Sequence, residues 1–189
     1  MLLMPVHTPP HKPAGDGDWG ARDPGPRHRL RMCELTADAH RGLRACALEI
    51  ERGGASYTVD TLRGIHASHP HARLTFVVGA DTACTLASWR EPAELLALAD
   101  LAVAAREGSD PGLVLDTLAA LDPGGPSARV RFLQMPPIDV SSSLARQRAA
   151  RGEPLEQLVG PAVAAYIAEH RLYGWPARAA ARPDTAPIA

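Results

Sequence analysis

The chain has 189 residues, 46% of them hydrophobic, and a formal net charge of −1. This length is enough for one domain with a sizeable core, and the near-neutral charge gives no indication of a surface for nucleic acid or anionic membranes. No apolar run reaches the roughly 18 residues that cross a bilayer. The three widely spaced cysteines, Cys33, Cys46 and Cys84, predict reduced thiols in a cytoplasmic protein.

Strands alternate with helices along the sequence. Short apolar runs that end at turn residues predict strands at 2–6, 43–50, 74–78, 100–105 and 130–134. Helical spacing and helix-start residues predict helices at 29–40, 58–65, 91–98, 111–121, 141–151 and 161–171, with a short helix between 81 and 89. This order predicts an α/β fold, a doubly wound parallel sheet, in residues 1–174. The composition of residues 175–189 predicts a disordered tail.

Polar and aromatic side chains follow the predicted strands at their carboxyl ends, where ligands bind in open α/β sheets. Gly79 lets a ligand approach the backbone and Asp81 can accept hydrogen bonds from ribose hydroxyls, although a tight turn capped by Asp81 explains the same residues. Trp89 either stacks on a flat heterocycle or fills the edge of the core. Thr58 or Asp60 is the expected cap of the helix that begins there.

Two further segments carry groups that suit phosphates. The loop at His11 and Lys12, the only lysine in the chain, offers a donor and a point charge, or it is a solvated loop. At 141–143 three hydroxyls meet the N–H groups of a helix start, with Arg146 about one turn further on. That arrangement is either an anion cradle or an ordinary serine cap. No metal site is predicted from the histidines near one helix end, which are His66, His69 and His71.

In this order the segments resemble the bacterial nicotinate mononucleotide adenylyltransferases, which belong to the nucleotidyltransferase superfamily and have a Rossmann-like fold. The resemblance runs from Leu2 to Gly174, and it rests on the order and spacing of motifs that are individually weak. The matching residues are Pro5 to Lys12, Arg29 with Met32, Glu49 to Leu62, Gly79 to Asp81 with Trp89, Arg106 with Gly108, Val140 to Arg146, and Val163 to Tyr173.

The resemblance implies a role for each matching site residue. It places the nicotinate ring and its carboxylate against Tyr57, Thr58 and Trp89. It places the dinucleotide product against Gly79 and Asp81. The remaining implied contacts are Arg106 with the substrate, His11 and Lys12 with phosphates at the reaction centre, and Ser142, Ser143 and Arg146 with the phosphates of ATP.

The implied reaction is transfer of the adenylyl group of ATP to nicotinate mononucleotide, which gives deamido-NAD and pyrophosphate in NAD synthesis. Positioning and charge neutralisation at the α-phosphate suffice for such chemistry, and Mg²⁺ is held mainly by phosphate oxygens and water. The expected partners are therefore ATP and nicotinate mononucleotide, without nucleic acid or membrane, and assembly into a homo-oligomer stays open.

Two features depart from the family pattern. Ser143 and Ala145 replace a threonine and an aliphatic residue, which is a mild change. The family also opens with a strand and a turn of the form Gly-Gly-Thr-Phe-Asp-Pro-x-His-x-Gly-His, whereas this sequence begins within what corresponds to the second strand. We therefore expect about one βα unit, roughly 25–30 residues, to be missing.

In the family the missing strand lies between the second and the fourth, so we expect an interrupted sheet and no adenylyl transfer by the chain as it stands. Two alternatives to the leading interpretation stay open. One is a non-catalytic remnant that binds a mononucleotide or a partner chain. The other is an adenylyltransferase for a different nucleotide-like substrate.

Overall fold

The computed structural model describes residues 1–10, 23–105, 110–121, 129–134, 136 and 140–177. Two compact units divide the chain, one formed by Met1–Arg52 with Val140–Ala189 and the other by Gly53–Asp139. The prediction of one domain over residues 1–174 stays a prediction, because two compact units can belong to a single domain. The predicted tail lies largely outside the described residues, which end at 177.

The helices and strands alternate as predicted. In chain order they are β1 (Leu2–Leu3), α1 (Pro26–Ala39), β2 (Arg44–Ala45), α2 (Leu48–Arg52), α3 (Thr58–Ser68), β3 (Thr75–Gly79), α4 (Ala80–Ala83), a 3-10 turn (Leu86–Ser88), α5 (Pro92–Leu98), β4 (Asp100–Ala104), α6 (Pro111–Leu121), β5 (Val130–Leu133), α7 (Ser142–Arg151), α8 (Glu156–Val159), α9 (Pro161–Glu169) and a second 3-10 turn (Leu172–Gly174).

One predicted strand is wrong in its second half. The run at 43–50 pairs as a strand only at β2, and the chain then turns into helix α2. Glu49 and Glu51 lie in the first turn of α2 and Arg52 in its last turn. Acidic residues at the start of a helix and basic residues at its end interact favourably with the helix dipole, which favours a helix over a longer strand.

The first unit contains a small parallel sheet in which Leu2 lies opposite Arg44 and Leu3 opposite Ala45. Its apolar core is formed by α7, α8, α9 and the second 3-10 turn, with Met32 and Leu35 of α1 packed against it. Arg29 of α1 fixes the chain that follows β1: its guanidinium donates to the carbonyl oxygens of Val6 at 2.7 Å and His7 at 2.8 Å, and it also pairs with Asp23.

The second unit contains the three-stranded parallel sheet β3–β4–β5, with Thr75 opposite Asp100 and Leu101 opposite Val130. The middle strand β4 supplies the buried Leu101 and Val103. The core of the unit is completed by buried residues from the helices on either side in sequence, which are Leu62, Ala80, Ala83, Leu86, Leu95, Leu96, Val114 and Leu118.

All described strand pairs are parallel, which confirms the predicted α/β architecture. The described strands form two separately paired sheets, β1–β2 and β3–β4–β5, and the expected loss of a strand between them stays a prediction. In the second unit β3 is an outer strand, and its Val77 is 47% exposed although the sequence predicts a buried strand. Side chains alternate between the two faces of a strand, so Phe76 and Val78 pack in the core while Val77 lies on the opposite, exposed face. None of the helices in the described part of the chain has the length and apolar character needed to span a membrane.

Candidate functional site

The start of helix α3 carries two predicted substrate-binding residues. Tyr57 is the N-cap residue in an extended conformation, and Thr58 is the first residue of the helix. The prediction that Thr58 or Asp60 caps this helix is wrong, because both lie inside its first turn and no side chain caps it. Among the described residues, the N-cap side chain thus makes no hydrogen bond to the leading N–H groups of α3, and such a helix start attracts an anionic group.

The end of strand β3 has open space beside its backbone. Gly79 is the N-cap of α4 in an ordinary extended conformation, and no atom of the described residues lies within 4 Å of the position that a Cβ would take. Its lack of a side chain is therefore not required by the backbone conformation or by local packing, and it leaves room for a ligand. Asp81 is the second residue of α4 and is exposed, so it is not the cap of this turn.

Trp89 follows the first 3-10 turn and has a fixed orientation. Its indole Nε1 donates to the hydroxyl of Thr85 at 3.2 Å, and its ring centroid lies 6.1 Å from that of Phe76 at a tilt of 60°. The residue is half-buried and packs against the core of the second unit. Both interpretations of Trp89 are compatible with this setting, because one part of the ring is in contact with the core and another part stays accessible.

Arg90 brings the start of α3 next to the turn at Trp89, and sequence reasoning missed it. Its guanidinium carbon lies 4.8 Å from the centroid of the Tyr57 ring, within the range of a cation–π contact. Its Nη1 donates to Asp60 at 3.4 Å and its Nε to Glu91 at 3.2 Å. Nothing in the sequence signalled this pairing, since Tyr57 and Arg90 are far apart along the chain and follow no common motif.

The residues predicted for ATP lie in the first unit, at the start of helix α7. Ser141 is the N-cap, and its hydroxyl accepts a hydrogen bond from the N–H of Leu144 at 3.1 Å. The ordinary serine cap is therefore Ser141, while Ser142 and Ser143 are exposed. Arg146 donates to the hydroxyl of Ser143 at 3.3 Å, one turn further along the helix.

A cavity of about 330 Å³ adjoins this helix start in the first unit, and Ser142 and Arg146 contribute to its lining. Apolar side chains such as Met32 and Val163 form much of the remaining wall. Tyr173 also lines the cavity; its backbone is left-handed at φ 56°, and burial raises the pKa of its hydroxyl. The cavity combines an apolar wall with hydroxyl and guanidinium groups, which suits a ligand with a flat ring and an anionic part.

Three predicted site residues, His11, Lys12 and Arg106, lie outside the described residues. Within the described part of the chain, no group of three or more His, Cys, Asp or Glu side chains is arranged to hold a metal ion. Cys33, Cys46 and Cys84 are free, as predicted.

Two curated proteins that are similar in sequence to this chain share one description. No family model matches the chain. A "Probable nicotinate-nucleotide adenylyltransferase" of Symbiobacterium thermophilum is 36% identical over 173 residues, which cover 92% of this chain and 80% of the relative. A protein with the same description from Synechococcus sp. (strain JA-2-3B'a(2-13)) is 35% identical over 174 residues, which cover 92% of this chain and 81% of the relative.

Solved structures agree in fold. A Plasmodium falciparum nicotinic acid mononucleotide adenylyltransferase complexed with NaAD matches with a TM-score of 0.68 at 17% identity, over 93% of this chain and 82% of that one. A structure of that adenylyltransferase complexed with APC matches with a TM-score of 0.62 at 18% identity, over 79% of this chain and 76% of that one. At such identities the likeness establishes the fold, which is the Rossmann-like fold of the nucleotidyltransferases.

The parallel strands, the helix starts that follow them and these structural matches place the chain in the class of α/β proteins with the fold of the two solved adenylyltransferases. The sequence identity to the curated relatives narrows this class. The chain belongs to the nicotinate-nucleotide adenylyltransferase family.

Proposed function

We propose that the chain transfers the adenylyl group of ATP to nicotinate mononucleotide. A phosphate oxygen of the mononucleotide forms a bond to the α-phosphorus of ATP, the bond between the α-phosphorus and the bridging oxygen breaks, and pyrophosphate leaves. The products are deamido-NAD and pyrophosphate. The sequence identity to curated relatives supports this reaction. The observation in the structure that carries the proposal is that the candidate residues for the mononucleotide, Tyr57, Thr58, Gly79, Asp81 and Trp89, all lie within the second unit.

Three features of that unit suit a pyridine mononucleotide. The uncapped start of α3 at Thr58 offers N–H groups to the ring carboxylate. The accessible part of Trp89 offers a face to the pyridine ring. The open turn at Gly79 offers room for the ribose and phosphate of the mononucleotide, and the exposed Asp81 offers a carboxylate to the ribose hydroxyls.

The start of α7 is the proposed site for the phosphates of ATP. The Ser142 and Ser143 hydroxyls can donate to phosphate oxygens, and the Arg146 guanidinium adds a positive charge one turn later. Magnesium enters with the substrate as MgATP, held mainly by phosphate oxygens and water. His11, Lys12 and Arg106 keep the roles that the family resemblance implies for them, as proposals. The free cysteines fit a reducing compartment, and we propose that the chain works in the cytoplasm.

The test measures binding and turnover separately. Calorimetry with the purified chain should detect binding of nicotinate mononucleotide, because its candidate residues lie within one unit. Chromatography then decides between the proposed reaction and the expectation from the family pattern that the chain as it stands carries out no adenylyl transfer. Formation of deamido-NAD from MgATP and nicotinate mononucleotide, with an equal amount of pyrophosphate, would support the reaction. Binding without product would contradict the proposed reaction and favour the remnant that binds a mononucleotide. Absence of both would refute the proposed function.

The contact of Arg146 with ATP can be tested against a control arginine, Arg151, on the same helix. Both lie on α7, but Arg151 is in the last turn, with a side chain that is 68% exposed and 3.7 Å from Glu153. Arg146→Met should lower kcat/KM for ATP by about tenfold or more, as expected for the loss of a charge-assisted contact. Arg151→Met should leave this ratio unchanged. If both substitutions lowered kcat/KM for ATP equally, the proposed contact of Arg146 with the ATP phosphates would be refuted.

A further inference from the structure

A network of five charged side chains lies beside the candidate mononucleotide residues in the second unit. We call it the Arg63 network, and its members are Asp60 and Arg63 of α3, Arg90 and Glu91 of the turn after Trp89, and Glu94 of α5. Because these residues come from separate elements, the network links the start of α3 to the turn that carries Trp89.

Arg63 is the centre of this network. Its Nη1 donates to Asp60 at 3.0 Å within α3, and its Nε donates to Glu94 at 2.8 Å. Its Nη2 pairs with both Glu91 and Glu94. Hydrogen bonds to Glu94 and Glu91 raise the pKa of Arg63, and the hydrogen bond from Arg63 lowers the pKa of Glu91, as expected for a mutually stabilised ion cluster.

Arg90 extends the network to Tyr57. Its Nε reaches Glu91 at 3.2 Å and its Nη1 reaches Asp60 at 3.4 Å, while its guanidinium lies over the Tyr57 ring at 4.8 Å. Arg63 and Arg90 thus share the two carboxylates of Asp60 and Glu91. One arginine joins helix to helix, and the other joins the turn to the aromatic ring at the helix start.

The backbone of Glu91, in the turn that follows Trp89, has an unfavourable conformation that contacts from other residues must stabilise. It adopts a left-handed backbone conformation, φ 49° and ψ 56°, as the N-cap of α5, and no side-chain hydrogen bond caps that helix. Residues other than glycine adopt this conformation infrequently and at a cost in free energy. The side chain of Glu91 is held from both sides, by Arg63 and by Arg90. The conformation of the turn directly after Trp89 is therefore secured by the two arginines.

We propose that Arg63 and Arg90 are positioning residues of the mononucleotide site, which hold the Trp89 turn in place against Tyr57 at the start of α3. This inference rests on the proposed function. Single exposed ion pairs contribute little to stability, but a network that joins several elements restricts their relative movement. Neither arginine is required to touch the substrate. Their effect is on the spacing between the ring-binding groups.

The chain offers a matched control for this proposal. Arg73 also forms an ion pair in the second unit, with its Nε 2.9 Å from Asp100, but it lies at the opposite, amino end of the sheet strands and its side chain is 79% exposed. The three variants Arg63→Met, Arg90→Met and Arg73→Met each keep an aliphatic chain and remove one guanidinium. Arg63→Lys keeps the charge but loses the planar fork that reaches several carboxylates.

The first measurement needs no ligand. The chain is labelled with 5-fluorotryptophan, and the fluorine resonance of Trp89 is assigned from its loss in Trp89→Phe. Arg63→Met and Arg90→Met should shift or broaden this resonance, and Arg73→Met should leave it unchanged. The second measurement is calorimetric titration with nicotinate mononucleotide. The first two variants should bind it about fivefold more weakly or worse, with ATP affinity changed by less than about twofold. Arg63→Lys should recover only part of the affinity.

Each outcome decides the proposal. A Trp89 resonance that stays unchanged in both network variants overturns it. A shifted resonance with unaltered mononucleotide affinity also overturns it, because the network would then have no effect on the site. If the wild-type chain binds no mononucleotide, the proposed function fails, and the fluorine resonance alone decides whether the arginines hold the turn.

Discussion

Trp89 contacts the core and is also the candidate platform for the pyridine ring, and replacing it by alanine separates these two uses. The substitution removes the indole that packs on Phe76 at 6.1 Å and donates to Thr85 at 3.2 Å. It therefore has one effect on unfolding and another on ligand binding. The two effects can be measured on the same purified variant.

The expected sizes follow from the surroundings of the ring. A fully buried Trp→Ala change costs about 3–5 kcal/mol of unfolding free energy, and Trp89 is only half-buried, so we expect about 2 kcal/mol. Stacking of an aromatic side chain on a flat heterocycle contributes about 1–3 kcal/mol by alanine substitution. The dissociation constant for nicotinate mononucleotide should therefore rise roughly five- to 150-fold.

The assay combines thermal unfolding with calorimetric titration of the mononucleotide and, separately, of ATP. Trp89→Ala should lose both stability and mononucleotide affinity, whereas the affinity for ATP should change little. Trp89→Phe keeps an aromatic face but not the indole N–H, so it should retain most of the mononucleotide affinity. If Trp89→Ala unfolds more easily but binds the mononucleotide as well as the wild type, stacking is refuted and Trp89 serves the core alone.

Three further predictions concern the first unit. Ser141→Ala removes the cap of α7 and should lower the unfolding free energy by about 1 kcal/mol in a denaturant titration, and no change would mean that the cap is not formed in solution. Gly152→Ala should destabilise more than Gly42→Ala in the same titration. Both glycines have positive φ, but a Cβ at Gly152 would lie 2.7 Å from Pro176, and equal losses would contradict this contact. Burial raises the pKa of the Cys33 thiol. The thiol therefore contributes fully to the free energy of unfolding at a pH below the ordinary pKa of 9.0, and this contribution is lost as the pH rises through the pKa of the folded state. Cys33→Ser should accordingly show a smaller fall of stability above that pH, and identical pH profiles would exclude the effect.

Local sequence pattern predicted the regular elements of the second unit well. The strand β4 and the helix α6 have the bounds expected from an apolar run and from helical spacing, to within a residue. These elements are set by short-range signals, namely a run of buried side chains or a proline at a helix start. The carboxyl-edge residues Gly79 and Asp81 also lie where strand order predicts them.

Other features depend on contacts that local pattern does not encode. The strand β2 ends early because acidic residues favour the helix that follows it. The cap expected at Thr58 is absent because the helix begins one residue earlier than the hydroxyl pattern suggests. The pairing of Arg63 with Glu91 and Glu94 joins residues from distant positions in the sequence, and charged residues of this kind normally predict only a solvated face.

The division into two units predicts the order in which parts of the chain fold during translation. The unit 53–139 is continuous in sequence, whereas the other unit is assembled from residues 1–52 and 140–189. During translation the continuous unit is complete while the other still lacks its second segment. Because domains fold as units and contacts between near sequence neighbours form fastest, we expect the part that carries Tyr57, Trp89 and the Arg63 network to reach its folded state first on the ribosome. Residues 1–52 must meanwhile wait for helices α7 to α9 to supply the rest of their core.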